Sequence, residues 1–162
     1  MPTVRPLYAR HGGKGEHTME GINSRLDGLQ AAILSAKLPH LAGWTAARQN
    51  IAKKYDELLR GVAQVSTPTI ANERTHVFHL YVIRCEERDA LQAHLNAAGI
   101  STMLNYSRAL PFYPAYAHLG HKAEDFPNAY ASQSRILSIP IYPEMTDEAI
   151  RYVAQTIGRF GQ

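Results

Sequence analysis

The stretch GINSRLDGLQAAIL, residues 21–34, changes within a few positions from a polar turn to an apolar helix. Asp27 is a suitable helix N-cap, and Gln30 follows it at the spacing of a capping box. Apolar side chains then recur at helical spacing and form a one-sided stripe of Leu26, Leu29, Ile33 and Leu34. The pattern predicts a helix from about Asp27 to Leu38 in which Leu29 faces a core.

A second helix is predicted after a break. Pro39 has no backbone N–H and disfavours helix at the residue before it, so the first helix is expected to end or kink there. The next helix should run from about His40 to Arg60, because apolar residues recur at intervals of three and four: Leu41, Trp44, Ala47, Ile51, Tyr55 and Leu58. Gly61 follows as a C-terminal stop.

The middle of the chain contains two strand-like segments and a short helix. Residues 76–84, HVFHLYVIR, are rich in β-branched and aromatic side chains and predict a strand covered on at least one side. Residues 89–98 predict a short helix with Leu91 and Leu95 on its apolar face, closed by Gly99. Residues 100–104, ISTML, are typical of a second strand.

The last third of the chain begins with residues 105–122, whose aromatic and proline content favours an irregular, well-packed segment. Pro127 suits the first turn of a short helix, and residues 136–143 predict a strand that ends at a proline. Thr146 is expected to cap the final helix. The buried stripe of that helix is predicted to comprise Ile150, Val153 and Ile157.

The order of these elements predicts an α+β fold in which long N-terminal helices precede a small, mainly antiparallel sheet covered by helices. We divide the chain into a connecting segment, a helical interface segment and a small α+β domain, which span residues 1–22, 23–60 and 61–162. The apolar stripe between Leu26 and Leu58 is longer than one small sheet can cover. Large apolar patches are rarely left bare, so self-association is expected.

Length and composition limit the class of protein. The 162 residues are enough for one domain with its own core, and the single cysteine, Cys85, excludes an internal disulfide. No run of about 18 apolar residues predicts a membrane span. The first residues lack the apolar segment of a signal peptide, which favours a cytoplasmic protein.

The charge pattern argues against two kinds of partner. The chain carries 17 Lys and Arg residues against 14 Asp and Glu residues, and it has no basic run and no basic stripe interleaved with aromatic residues. No zinc-ligand spacing is present, and the histidine pairs at 76/79 and 118/121 supply too few ligands for a metal site. We therefore predict neither nucleic-acid nor metal binding.

The residues around the opening stretch carry a more specific signal. Positions 10–12 read R-H-G, and a G-x-N-x-R-x-D-x-x-Q-A-A string follows, with the matching residues His17, Gly21, Asn23, Arg25, Asp27, Gln30, Ala31 and Ala32. This string resembles the sugar aminotransferases of the DegT/DnrJ/StrS family, which are pyridoxal-phosphate enzymes of the aspartate-aminotransferase fold. The segments HVFHLYVIR, AAGIST and LSIPIYPEMT follow the C-terminal half of that family in order.

The resemblance implies that the chain corresponds to the C-terminal part of such an enzyme, including its small domain. It implies that Asn23 donates to the phosphate of pyridoxal phosphate in the partner subunit and that Arg25 lines the neighbouring nucleotide-sugar site. N–H donors hold a phosphate well, and a guanidinium offers permanently charged donors to an anionic substrate. Alternatively, Arg25 pairs with Asp27, and Asn23 merely caps a turn.

The family mechanism requires a lysine that forms an imine with pyridoxal phosphate, and the resemblance places that lysine before the R-H-G turn. A nucleophilic lysine must also be desolvated at neutral pH. None of the lysines here has the family's strand-end context: Lys14, Lys37, Lys53, Lys54 and Lys122. We therefore assign no catalytic residue and expect the isolated chain to bind no cofactor.

Two positions depart from the family pattern. Many relatives have a histidine where this chain has Pro111, and a glutamate where it has Tyr130. These differences leave Tyr106 as a candidate substrate-binding residue. His79 and Tyr81 could face a site, but strand core is the favoured interpretation.

Three hypotheses follow from the sequence. The chain is part of a sugar aminotransferase that is inactive alone, and it binds a nucleotide-sugar only when the site is completed. Alternatively, it is a stand-alone interaction module that forms a homodimer or pairs with a full-length aminotransferase chain through residues 27–60. The third possibility is an anion- or nucleotide-binding domain that uses Arg10, Asn23 and Arg25.

Overall fold

The computed structural model describes residues 25–161 and has the predicted α+β class. Its α-helices are α1 (Gly28–Lys37), α2 (Leu41–Leu58), α3 (Arg88–Ala97), α4 (Pro127–Gln133) and α5 (Asp147–Gly158). Its strands are β1 (Tyr81–Arg84) and β2 (Ile136–Ile139). Short 3-10 helices cover Leu38–His40, Leu110–Phe112, Pro114–Leu119 and Ala123–Asp125. No helix in the described part of the chain is long and apolar enough to cross a membrane.

The start of α1 confirms the predicted cap. The backbone N–H of Gln30 donates to the Asp27 carboxylate at 2.8 Å, and the N–H of Ala31 donates to the Asp27 carbonyl at 2.9 Å. Pro39 lies in the 3-10 turn Leu38–His40, so the predicted break is also confirmed. Since proline cannot donate to the helical ladder, the chain makes one tight turn before α2 begins.

The expectation that Leu29 faces a core is wrong. None of the described residues of α1 is buried, and the Leu29 side chain is 73% exposed. The other apolar positions of the stripe are also exposed: Leu26, Ile33, Leu34, Leu38 and Leu41. The pattern correctly predicted a helix at these residues, but periodicity does not specify which surface covers its apolar side chains.

The sheet is antiparallel, and its register places Tyr81 opposite Ile139 and Arg84 opposite Ile136. One isolated bridge extends it on each side, from Ser66 to Arg84 and from Met103 to Ser138. The predicted strand at residues 100–104 is therefore wrong, because only Met103 pairs with the sheet. The predicted strand at 136–143 is too long, since Pro140 directly follows β2 and offers no N–H to a ladder.

The strand predicted over residues 76–84 is shortened to β1. The N–H of Phe78 donates to the Nδ1 atom of His76 at 2.9 Å, and Phe78 has a φ of 49°. This local bond competes with a sheet ladder, and a positive φ is incompatible with extended strand geometry. Only Tyr81 to Arg84 therefore pair with β2, with Tyr81 and Ile83 buried.

The core lies between the sheet and the helices α2, α3 and α5. Its largest fully buried side chains are Tyr55, Tyr81, Ile83, Leu91, Leu95, Leu137, Ile150 and Ile157. Thr146 caps α5 as predicted, because its hydroxyl accepts from the N–H of Ala149 at 3.3 Å. The predicted stripe of α5 is buried as well. An ion pair between Lys54 and Asp147 joins α2 to the start of α5 and lowers the pKa of the aspartate.

Two tyrosine hydroxyls are satisfied inside this core. Tyr55 donates to the carbonyl of Pro140 at 2.9 Å, and Tyr81 donates to the Asp56 carboxylate at 2.6 Å. Burial raises the pKa of both phenols; Tyr142 adds to the effect at Tyr55, and Asp56 adds to it at Tyr81. Both tyrosines are therefore protonated structural donors at neutral pH.

The chain divides into two compact units. The core above belongs to the unit of residues 34–105 and 135–162. In the other unit, whose described residues are 25–33 and 106–134, Phe112 contacts the rings of Phe126 and Tyr130 at centroid distances of 6.5 and 5.3 Å. The irregular geometry predicted for residues 105–122 is confirmed, with short 3-10 turns, but the expectation that the segment is well packed is wrong, because only Tyr113 in it is buried. The three-segment division proposed from the sequence stays a prediction.

We predict that Leu95→Ala lowers the free energy of unfolding by about 2–5 kcal/mol, because it leaves a cavity at a side chain with 0% exposure. The matched control is Leu29→Ala, which should change it by about 0.5 kcal/mol or less because that side chain is mostly exposed. Denaturant titration at concentrations where the chain is monomeric measures both values. Equal losses for the two variants would contradict this description of the core.

Candidate functional site

Arg25 lies at the surface, two residues before the cap of α1. The Asp27 carboxylate accepts from the N–H of Gln30, and within residues 25–161 no ion pair joins it to Arg25. The alternative in which Arg25 serves as a structural partner of Asp27 therefore gains no support.

The other residues of the opening motif lie outside the described range. Asn23 and Arg10 both precede residue 25, so their assigned roles stay predictions. The same applies to Lys14. At this end of the described chain, the cap at Asp27 marks where helix α1 begins.

Tyr106 is 66% exposed and stands at the start of the irregular segment. The segment after it is held by side chains: the N–H of Ala109 donates to the amide oxygen of Gln133 at 3.0 Å, and Arg108 donates to the carbonyl of Phe112 at 3.3 Å. The phenol is thus presented on an anchored backbone. No contact between Tyr106 and Arg25 is established, so the two candidates stay separate predictions.

The two positions that depart from the family pattern are Pro111 and Tyr130, and both lie in defined local structure. Pro111 is the second residue of the 3-10 helix Leu110–Phe112, and the Tyr130 ring packs edge-on against Phe112. Tyr130 is nevertheless half exposed. The aromatic contact therefore gives Tyr130 a packing role that does not require a catalytic one.

The favoured interpretation of Tyr81 as strand core is confirmed by its complete burial. His79 is exposed and precedes β1, so it is not part of that core. Among residues 25–161, no group of three or more His, Cys, Asp or Glu side chains is placed to hold a metal ion.

Pyridoxal phosphate requires a desolvated lysine, and the described lysines do not fit this requirement. Lys37, Lys53 and Lys122 are exposed, and Lys54 is half-buried and paired with Asp147. An ammonium in water keeps its proton at neutral pH and is a poor nucleophile. Residues 25–161 therefore contain no suitable anchor for this cofactor.

Surface cavities lie among the described residues of the unit that contains the core. One, of about 320 Å³, separates α2 from the loop at residues 70–78. Another, of about 560 Å³, lies beside β1 and is lined by Ser66, Thr67, Pro68, Thr69, Val82, Arg84 and Ile136. Neither is lined by Arg25 or Tyr106. No sequence motif predicts the first cavity, because its lining residues come from two separate segments, α2 and the loop at residues 70–78.

The chain matches a known protein family over most of its length. The model of the DegT/DnrJ/EryC1/StrS aminotransferase family matches residues 7–158. The chain belongs to this family. The predicted resemblance is therefore confirmed, and the match covers both the opening motif and the α+β core.

Individual relatives give the same assignment. The chain is 44% identical over 154 residues to the pleiotropic regulatory protein of Geobacillus stearothermophilus, covering 93% of this chain and 41% of that protein. It is 36% identical over 154 residues to the dTDP-3-amino-3,6-dideoxy-alpha-D-galactopyranose transaminase of Aneurinibacillus thermoaerophilus, covering 95% and 41%. It thus spans about two-fifths of the length of the curated relatives it matches.

Solved structures agree with this fold. DesV from S. venezuelae, in complex with a ketimine intermediate, aligns with a TM-score of 0.78 and 34% identity, over 91% of this chain and 40% of that one. A DegT DnrJ EryC1 StrS aminotransferase from Brucella abortus gives a TM-score of 0.75 at 34% identity, over 91% and 39%. The predicted resemblance to part of an aminotransferase fold is confirmed.

We predict that Asp27→Ala destabilises the chain by about 0.5–2 kcal/mol through loss of the cap, whereas Asp27→Asn costs much less because asparagine also caps helices. Arg25→Ala should stay within about 0.5 kcal/mol of the parent, since Arg25 is exposed. Thermal unfolding compares the three variants. A loss at Arg25→Ala as large as at Asp27→Ala would make Arg25 a structural residue.

Proposed function

We propose that this chain is the C-terminal part of a pyridoxal-phosphate-dependent nucleotide-sugar aminotransferase and that it acts by completing an active site whose cofactor-anchoring part is supplied by other residues. The observation that carries the proposal is the family match over residues 7–158. Relatives named as transaminases of dTDP-linked amino sugars support the substrate class. The exposed position of Arg25, just before a capped helix, fits a residue that reaches outward.

In this proposal the chain's own residues bind and orient rather than carry out chemistry. The Arg25 guanidinium holds the anionic part of a nucleotide-sugar, because its planar fork matches phosphate oxygens and never loses its charge. Asn23 donates an N–H to the cofactor phosphate of the neighbouring subunit. Tyr106 contributes a phenol to the substrate site.

The exposed apolar side of α1 supports assembly with another chain. Leu29, Ile33 and Leu34 lie on this helix and are each at least half exposed, with no described residue of α1 buried. Apolar side chains at helical spacing favour a helical surface that another chain covers. A homodimer uses the same surface twice, and such two-fold contacts are the commonest closed assemblies.

The same surface also favours the alternative function, a stand-alone module that pairs with itself or with a full-length aminotransferase. The two functions predict different results when the cofactor-binding part of a relative is supplied to this chain. Under the main proposal it restores transamination with this chain, whereas under the alternative this chain binds and leaves activity unchanged.

We predict that the chain self-associates at micromolar concentration and that Leu29→Glu shifts it toward monomer, because a buried charge opposes assembly. Leu119→Glu is the matched control, since Leu119 is also exposed but lies outside α1. Sedimentation equilibrium measures the association. A parent chain that stays monomeric, without aggregation, would argue against this interface.

We predict that Arg25→Ala lowers transamination about 10- to 100-fold when the chain is co-expressed with the cofactor-binding part of a relative, since a charge-assisted contact is worth about 1.5–3 kcal/mol. Arg159→Ala, which removes another exposed arginine, should have little effect. The assay follows amino-sugar formation from a nucleotide-linked keto sugar. Full activity of the Arg25 variant would remove Arg25 from the site.

We predict that the isolated chain gives no stoichiometric adduct at a single lysine after treatment with pyridoxal phosphate and borohydride. The described lysines are exposed or paired, so labelling should be weak and spread over several positions. Mass spectrometry of the intact chain and its peptides measures the labelling. A complete adduct at one lysine would contradict the proposal that the anchor lies elsewhere.

A further inference from the structure

The cavity between α2 and the loop at residues 70–78 has the features of a ligand site. Five of its lining residues come from one side of α2, at positions 46, 49, 50, 53 and 56, and the rest come from the loop. Its volume of about 320 Å³ suits a small molecule, at the lower end of the range of ligand pockets. None of its residues is assigned a role in the proposed function.

The loop that forms the outer wall is held in a specific conformation. The Gln49 side-chain amide donates to the carbonyl of His76 at 3.0 Å, and the N–H of Phe78 donates to the His76 ring at 2.9 Å. Glu73 and Phe78 both have positive φ, at 60° and 49°. Residues other than glycine rarely adopt this region, and such strain concentrates at ligand clamps and switch regions.

The cavity has an apolar floor. Phe78 is only 5% exposed, and its ring stacks against Tyr81 below it at a centroid distance of 5.9 Å. The His76 ring stands beside Phe78 at 4.4 Å. Ile70 and Ala46 extend the apolar lining. Because Phe78 is almost fully covered, the apolar surface that a ligand can reach comes mainly from Ile70, which is 44% exposed, and from the exposed His76.

The rim of the cavity is cationic. Lys53 and Arg74 both line it, and within residues 25–161 neither forms an ion pair. The one acidic lining residue, Asp56, already accepts from the Tyr81 hydroxyl at 2.6 Å. Two cations without an ion-pair partner among the described residues, together with one engaged carboxylate, favour an anion over a cation or a neutral ligand.

We propose that this cavity binds a small organic anion, a carboxylate or phosphate attached to a flat apolar group, with the anion between Lys53 and Arg74 and the apolar group against Ile70 and the His76 ring. The amide side chains of Gln49 and Asn50 lie on the same helix face and offer further polar contacts. The proposal stands on the geometry of this one unit and does not depend on the proposed function.

The test is a titration of the ¹⁵N-labelled 162-residue chain with phenyl phosphate, benzoate and inorganic phosphate in separate arms. Saturable shifts at the amides of Gln49, Asn50 and His76 are expected with phenyl phosphate or benzoate, and the stronger of the two identifies the preferred anion. Inorganic phosphate should bind several-fold more weakly, because it makes no contact with the apolar lining at Ile70 and His76. No saturable shift at these amides, or equal affinity for inorganic phosphate, would overturn the proposal.

Variants separate a built site from general attraction to a basic surface. Lys53→Gln and Arg74→Gln should each weaken binding about tenfold, the effect of losing a charge-assisted contact. Lys53→Arg should retain most of the affinity because it keeps the charge. Arg159→Gln, an exposed arginine outside the cavity, should leave the affinity unchanged. Equal weakening by Arg159→Gln and Arg74→Gln would show non-specific ion pairing and reject the site.

Discussion

The position of Tyr55 on α2 is the constraint on which the rest of the core depends. Its ring lies 5.1 Å from that of Tyr81 on β1, and its hydroxyl donates to the carbonyl of Pro140 just after β2. One buried side chain thus joins the long helix to both strands. A buried hydroxyl must keep its partner, because an unsatisfied one costs about 1–3 kcal/mol. This requirement fixes the rotation of α2 and therefore which of its faces looks outward.

That rotation explains why the opposite side of α2 can line a cavity. With Ile51, Ala52 and Tyr55 buried, positions 49, 50 and 53 must turn toward the loop that leads into β1. The loop cannot continue as strand up to the helix, since Phe78 has a positive φ and bonds back to His76. The packing of the core and the shape of the cavity are therefore consequences of the same helix orientation.

The amino-acid sequence predicts those features of the fold that depend on local chemistry. The caps at Asp27 and Thr146, the break at Pro39 and the buried stripe of α5 each follow from a few neighbouring residues. Features that depend on contacts between residues outside the local stretch were predicted wrongly. Residues 76–80 have strand-like composition, yet a bond from Phe78 to the His76 ring replaces the ladder. Burial of Leu29 could not be read from periodicity either, because periodicity locates an apolar face without naming what covers it.

The same distinction between local chemistry and distant contacts applies to the candidate site. The motif that contains Asn23 and Arg25 was visible only through resemblance, since an exposed arginine before a helix has no distinctive pattern of its own. Conversely, the cavity at Lys53 and Arg74 has no sequence motif, because its two halves come from separate segments of the chain that the fold brings together, with a contact from Gln49 to His76. A site built on one continuous stretch can be transferred from relatives, whereas a site built by packing must be found in the folded chain. The exposed side of α1 belongs to the first kind: its apolar residues stand next to Arg25 in sequence, so any chain that covers the helix is brought close to the guanidinium.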